Sequence, residues 1–224
     1  MIINSNFTVL DTPPITAFSE IAVKNEPMLF NCDLGEAMRL GGQITREVLH
    51  MLPDDWRSVA LSIDSRVHML MPGWMPCIPG WHHDDVPRTR QDGQPNYGPG
   101  QVRSEHILAL VNGGICQTEF ATGSANFEEP GLGETIYGVW DKHVQLLCDN
   151  KVLTRHSVSS NVLVKFDDRT WHQGVPAVAN GWRFFIRISR YFSDDGQPIG
   201  KPIPMANESR KQVQVYLPTP KAGW

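Results

Sequence analysis

The sequence predicts a mainly β (α+β) domain, a sandwich, jelly roll or barrel, with supporting helices near its N-terminus. Three observations predict it. Short runs of β-branched and aromatic residues recur across residues 58–192, separated by turn clusters such as Asn112–Gly113–Gly114, Glu129–Pro130–Gly131 and Asn180–Gly181. The 19 glycines and 17 prolines are spread without a repeat, which suits a turn-rich chain and excludes collagen-like and low-complexity readings. The 224 residues are 41% apolar and 20% charged, enough to bury one core and too apolar for general disorder.

Taken in order, residues 1–16 read as an extended arm, with Pro13–Pro14 breaking any helix. Leu34, Ala37 and Met38, then Ile44, Val48 and Leu49, recur at helical spacing, with Gly41–Gly42 as a break between two helices. Residues 17–55 therefore form an N-terminal helical support. Ser58–Met71 reads as one or two strands, and residues 72–80, rich in proline and glycine, as a rigid irregular crossing. The polar stretch 86–104 is a surface loop in which Arg88, Arg90 and Tyr97 are candidates for a lid. Further strands are expected at His106–Val111, Gly114–Ala121, Thr135–Trp140, His143–Leu147, Ser160–Phe166, Trp171–Val175 and Trp182–Phe192, then a short one at Lys211–Tyr216. The whole reads as a single domain over 1–224, with its core at about 56–192 and a C-terminal extension at 193–224.

Charge and cysteine use narrow the function classes. A net charge of −4 gives no broad nucleic-acid-binding face and no basic face for an anionic membrane. Four separated cysteines form no C-x-x-C pair, which excludes a zinc ribbon or a thioredoxin-like motif and suits a reduced, cytoplasmic chain. The N-terminus has no signal-peptide pattern, and no apolar run is long enough to span a membrane.

The histidines carry the chemistry. In Trp81–Val86 (WHHDDV), alternation puts His82 and Asp84 on one face of an extended chain and His83 and Asp85 on the other. His172 lies ninety residues beyond His82. Two imidazoles and one carboxylate make a facial triad, which leaves three positions of an octahedral metal open. An H-x-D alone is weak evidence, because a solvated turn explains it equally well. Downstream, Arg183 and Arg187 share one face of RFFIRISR, opposite Trp182, Phe184, Ile186 and Ile188. A guanidinium inside an apolar strand requires an anion, either a structural carboxylate or a bound one.

His82-x-Asp84, His172 ninety residues on, and Arg183 eleven further resemble the motif spacing of the Fe(II)/2-oxoglutarate-dependent oxygenases. Trp81–Asp84 is similar to the W-H-x-D of the phytanoyl-CoA hydroxylase-like branch, and Arg183-x-x-x-Arg187 to the taurine-dioxygenase-like arrangement. The resemblance covers roughly residues 56–192. It implies a double-stranded β-helix (a cupin-like jelly roll), with His82, Asp84 and His172 as Fe(II) ligands. It implies Arg183 as the group binding the distal carboxylate of 2-oxoglutarate, with Arg187 as a second candidate for that co-substrate or for substrate. The implied reaction couples decarboxylation of 2-oxoglutarate to succinate and CO₂ with C–H oxidation by O₂. Asp84, where related halogenases carry a small residue, favours hydroxylation.

Several points stay open at this level. His83/Asp85 compete with His82/Asp84. A tight hairpin at Asn180–Gly181 would put Arg187 opposite Gly174 and exchange the roles of the two arginines. Gln117, Thr118 and Thr170 are candidates for the proximal carboxylate. Trp74, Trp81, Trp171 and Trp182 either wall the site or pack the core. His68, His106, His143 and His156 read as structural or surface residues, and Cys77 and Cys116 as small core residues. The substrate, a small molecule or a protein side chain, is not specified. Two alternatives stand beside the oxygenase: a cupin-like metalloenzyme that does not use 2-oxoglutarate, and a non-catalytic jelly-roll binding module.

Overall fold

The computed structural model describes residues 1–201, and the strand expected at Lys211–Tyr216 lies outside them. The chain is mostly β, in two antiparallel sheets with few helices. The larger sheet contains β2 (Phe7–Val9), β3 (Ser62–Leu70), β4 (Arg103–Val111), β7 (Leu163–Asp167), β9 (Gly181–Phe192) and β10 (Pro198–Ile199). Its centre is β9, which pairs with β4 on one side and with β3 and then β10 on the other. The smaller sheet is built around β5 (Thr118–Asn126), which pairs with β1 (Ile2–Ser5), β6 (Thr154–Ser157) and β8 (Trp171–Gly174).

Strand alternation sorts the side chains into layers. Ile63, Val67, Ile107, Ala109, Phe184, Ile186 and Ile188 face outward from the larger sheet into one core cluster. There they meet Val23, Ala37, Ile44, Val48, Leu49 and Trp56 from four short helices: α1 (Glu20–Lys24), α2 (Leu34–Leu40), α3 (Gln43–His50) and α4 (Asp54–Arg57). The N-terminal helical support and its break are as the spacing predicts. Between the sheets, Leu108, Leu110, Phe120, Val158, Val164 and Phe166 form a second cluster.

The break between α2 and α3 has a specific cause. Gly42 caps α3 without a side chain, and the buried Glu26 takes over: its carboxylate accepts from the backbone N–H of Ile44 (3.3 Å) and Thr45 (2.9 Å). A Cβ on Gly42 would collide with the Glu26 carboxylate, so a side chain there would have to displace the group that caps α3.

One expectation fails clearly. Thr135–Trp140 and His143–Leu147 are not strands but a single helix, α5 (Ile136–Asp149). Thr135 caps it by accepting from Gly138 N–H, and Ile136, Trp140 and Val144, four residues apart, are buried. These three pack with Ile3, Trp81, Ala121, Phe127 and Trp171 on the outer side of the smaller sheet, and each apolar side chain so buried contributes about 1.5–3 kcal/mol. The β-branched and aromatic content of the segment imitates a strand, but tertiary burial at period four decides the outcome.

A second correction concerns the proposed hairpin at Asn180–Gly181. β8 pairs with β5, not with β9. The intervening segment bonds elsewhere: Val175, Ala177 and Val178 N–H donate to the carbonyls of Gln117, Trp74 and Ile115. Arg187 therefore lies opposite Asp64 of β3 and Leu108 of β4, not opposite Gly174. No helix among the described residues is long and apolar enough to cross a membrane.

Candidate metal centre

The space between the sheets is lined from β9 by Arg183 and Arg187 and from β8 by His172. The WHHDD segment reaches it through an isolated β-bridge: His82 N–H donates to His172 O (3.0 Å) and His172 N–H donates to His82 O (3.2 Å). The two imidazoles consequently sit side by side, ring centroids 4.6 Å apart. Each ring is fixed by its own chain, with His82 Nδ1 2.8 Å from Gly80 O and His172 Nδ1 2.9 Å from Thr170 O. A carbonyl can only accept, so Nδ1 carries a proton in both rings and Nε2 is the nitrogen turned to the interior. A ring whose Nδ1–H is held by a carbonyl presents Nε2 for ligation, the kind of outer contact that orients ligating imidazoles.

Asp84 completes the group. Its Oδ2 lies 3.3 Å from His172 Nε2, and the ligand atoms of His82, Asp84 and His172 all fall within 4.8 Å of one another. Burial alone would raise the Asp84 pKa; Arg187, then His172, outweigh it and hold the carboxyl well below its ordinary value. Burial and the neighbouring His172 push His82 down to about 4. The donor set is thus a carboxylate beside two inward imidazoles, which suits a divalent transition metal.

The competing pair goes elsewhere. His83 stacks on Trp171 with ring centroids 3.7 Å apart, and its Nδ1 lies 2.7 Å from Tyr97 Oη. Burial, with the neighbouring rings of His172 and His82, holds its pKa well below 6.5. Asp85, at φ 53°, accepts from Tyr191 Oη at 2.7 Å. Alternation therefore separates His83 from His82 and Asp84, but it ends at Asp85, whose left-handed backbone brings its carboxylate back to 3.7 Å from Arg187.

The two arginines part company. Arg187 donates from Nη1 to Asp84 Oδ2 at 2.5 Å, with Nη2 3.7 Å from both Asp64 and Asp85. Burial opposes its charge, yet these three carboxylates hold its pKa well above the ordinary arginine value. Arg183, 2% exposed, has no carboxylate partner among the described residues. Its Nη1 and Nη2 reach only Cys116 Sγ (3.7 Å) and Thr118 Oγ1 (3.5 Å), and its Nε bonds to nothing. Burial lowers its pKa, countered only by the thiols of Cys116 and Cys77. Burial pushes the Cys77 thiol up to about 11, with Arg183 opposing the shift and Asp84 reinforcing it.

The remaining candidates sort as follows. Thr118 stands beside Arg183. Thr170 instead donates to Asn6 O (2.7 Å) and uses its carbonyl to hold His172. Trp81 and Trp171 belong to the α5 core, Trp182 packs on the helical layer and Trp74 packs with Leu70, so all four tryptophans pack. Tyr97 is no lid residue: it is buried and bonded to His83 and Tyr137, pinning the loop from beneath. Arg90 is tied to Asp92 and Glu129. His106 is buried between Ser104 and Ser189.

Sequence reasoning missed Asp64, Tyr191, Gly80 and Asp141. A carboxylate inside the apolar strand 62–70 is the same signal as Arg183 in its own strand, and it pointed to Asp64. Gly80 sits at φ 98°, and Asp141 of α5 accepts from Trp81 N–H at 2.7 Å, fixing the entry to the WHHDD segment.

No protein-family model matches the chain, and no curated protein matches it by sequence. Among solved structures it is similar to the non-heme monooxygenase ThoJ in complex with Ni, at 10% identity and a TM-score of 0.40 over 91% of this chain and 83% of that one. It is also similar to EvdO2 from Micromonospora carbonacea var. aurantiaca complexed with 2-oxoglutarate (10% identity, TM-score 0.39, 80% of this chain, 71% of that one). HygX from Streptomyces hygroscopicus with iron bound is a third, at 15% identity and a TM-score of 0.37 over 85% of each chain. Likenesses at this level carry no functional weight, and the chemistry has to come from the site's own atoms.

Proposed function

We propose that this chain is a non-haem Fe(II)- and 2-oxoglutarate-dependent oxygenase, a hydroxylase of a small molecule or protein side chain, built as one domain on a double-stranded β-helix. The observation that carries the reading is Arg183: a buried guanidinium with no carboxylate partner among the described residues, lining the same interior as a convergent His82–Asp84–His172 donor set. An unpaired buried charge is costly, and it persists where an anion completes it. A carboxylate matches the guanidinium fork. A cupin-like enzyme working without 2-oxoglutarate would need an anionic substrate to satisfy Arg183, and a non-catalytic jelly roll needs neither Arg183 nor the oriented imidazoles.

In this reading His82, Asp84 and His172 hold Fe(II), which when bound couples decarboxylation of 2-oxoglutarate to oxidation of a substrate C–H bond by O₂. Arg183 binds the distal carboxylate of 2-oxoglutarate, with the Thr118 hydroxyl beside it. Gly80 O and Thr170 O keep both Nε2 atoms aimed inward. Arg187 holds Asp84, so it is engaged on the metal side and is not the distal-carboxylate anchor.

Anaerobic addition of Fe(II) and 2-oxoglutarate tests the proposal. The wild-type protein should develop a weak visible metal-to-ligand charge-transfer band, and Asp84→Ala should not. No band in the wild type would overturn the co-substrate assignment.

A further inference from the structure

Arg187 faces three carboxylates, and each is held in place by something else as well. Asp64 stands opposite it in the β3–β9 register and accepts from Asn31 N–H at 2.8 Å. Asp85 is anchored by Tyr191 Oη at 2.7 Å, and Asp84 leans toward His172. Lys201 Nζ reaches Asp64 only at 4.0 Å and bonds instead to Ser62 Oγ at 3.2 Å. Arg187 Nη1 pairs closely with Asp84 and its Nη2 sits between Asp64 and Asp85, 3.7 Å from each, while its buried Nε has no partner. Lysine, a single point charge, cannot divide itself in this way.

Consider the same space without the guanidinium. Asp84 belongs to the His82–Asp84–His172 group, and Asp64 and Asp85 would be left beside it as two further, largely buried carboxylates without their shared cation. Clustered carboxylate oxygens favour hard cations such as Ca²⁺ and Mg²⁺, whereas imidazole nitrogen favours Fe, Co, Ni and Zn. We propose that Arg187 sets metal selectivity: by occupying the surplus carboxylates it leaves one carboxylate and two imidazoles as the donor set and excludes oxygen-seeking cations. The inference rests on the metal site of the proposed function, and it assigns Arg187 a role on the protein side of that site rather than on a substrate.

Calorimetric titration of the metal-free, full-length protein with NiCl₂ and CaCl₂ tests it, with no turnover needed. The wild type should bind Ni(II) far more tightly than Ca(II). Arg187→Gln should narrow that affinity ratio by roughly tenfold or more, the usual scale of outer-contact effects on metal sites. Adding Asp64→Asn and Asp85→Asn to Arg187→Gln should restore the wild-type ratio, since the surplus oxygens are gone. Arg187→Lys, which keeps the charge but loses the fork, should fall between, and it carries the test if Arg187→Gln does not fold. A wild-type ratio in whichever single variant folds would overturn the proposal, as would a narrowed ratio that persists in the triple variant. Failure of the wild type to bind Ni(II) at all would instead overturn the metal site itself.

Discussion

His82 and His172 hydrogen-bond to each other through the main chain in both directions, at 3.0 and 3.2 Å, although ninety residues separate them. This bridge, and not either side chain, brings the two imidazoles side by side, their rings tilted by 59°. It is continued on both sides by i−2 carbonyl contacts that orient the rings. The centre is therefore a property of backbone register, and perturbing the register should damage it without touching a ligand.

Gly80→Ala makes that perturbation. Gly80 adopts φ 98°, and a Cβ there would stand 2.9 Å from Asp141 Oδ1, the atom that accepts from Trp81 N–H. The same residue's carbonyl holds His82 Nδ1. Left-handed backbone costs a non-glycine residue about 1 kcal/mol, and the clash adds to it. Co(II) affinity measured by calorimetry should fall by roughly tenfold to a hundredfold. Unchanged affinity would show that the Asp141–Trp81–His82 linkage does not position the ligand.

Arg183→Met separates co-substrate binding from folding. The variant removes a buried, carboxylate-free charge and nearly preserves volume, so thermal stability should hold or rise. Stabilisation of the wild type by added 2-oxoglutarate with Mn(II) should disappear, while Mn(II) affinity stays the same. Retained stabilisation by 2-oxoglutarate, read by thermal melt, would remove Arg183 from the co-substrate site.

How much of this was legible in the sequence follows from the range of each interaction. His82 with Asp84, and Arg183 with Arg187, are pairs within single extended segments, where period-two alternation is enough to place them. The N-terminal helices were legible because their apolar spacing is regular. Helix α5 was not, because its valine, tyrosine and tryptophan residues favour strands and only packing against Phe127 and Trp171 reveals the period. With α5 misread, Asp141 could not be connected to Trp81. The partners of Arg187 were hidden for another reason: Asp64 meets it through the β3–β9 register, set across more than a hundred residues. The Asn180–Gly181 dipeptide suggested a hairpin because local turn chemistry is visible in sequence, whereas the competing bonds to Trp74, Ile115 and Gln117 are not.

Glu26 caps a helix from eighteen residues upstream, and its loss should register in stability alone. Glu26→Ala strands the buried N–H groups of Ile44 and Thr45 at the start of α3. Unsatisfied buried donors cost about 1–3 kcal/mol. Urea unfolding should show a loss of that size, with metal affinity unaffected because α3 lies on the outer face of the larger sheet. A loss well below 1 kcal/mol would mean that water replaces the carboxylate.

Acid should destabilise the protein before its carboxylates titrate. Burial pushes His106 down to about 4, with Asp85 opposing and Arg187 reinforcing the shift. Burial, then Arg183 and Arg66, pushes His68 down to about 3. Both residues are ordinary in the unfolded chain, with pKa near 6.5. Between pH 6.5 and about 4 the unfolded state therefore binds protons that the folded state refuses. Stability is full above pH 6.5 and is lost as pH falls through that window, by about 1.4 kcal/mol per pH unit for each such histidine. The low-lying Asp84 and Asp85 act in the same direction only below about pH 4, so the histidine window is separable. Urea midpoints of metal-free protein at pH 7, 6, 5 and 4.5 measure the slope. His106→Gln, which can still bond Ser104 and Ser189, should reduce it by about one proton's worth. An unchanged slope in that variant would mean that His106 becomes charged within the fold, contradicting its dry, doubly bonded setting.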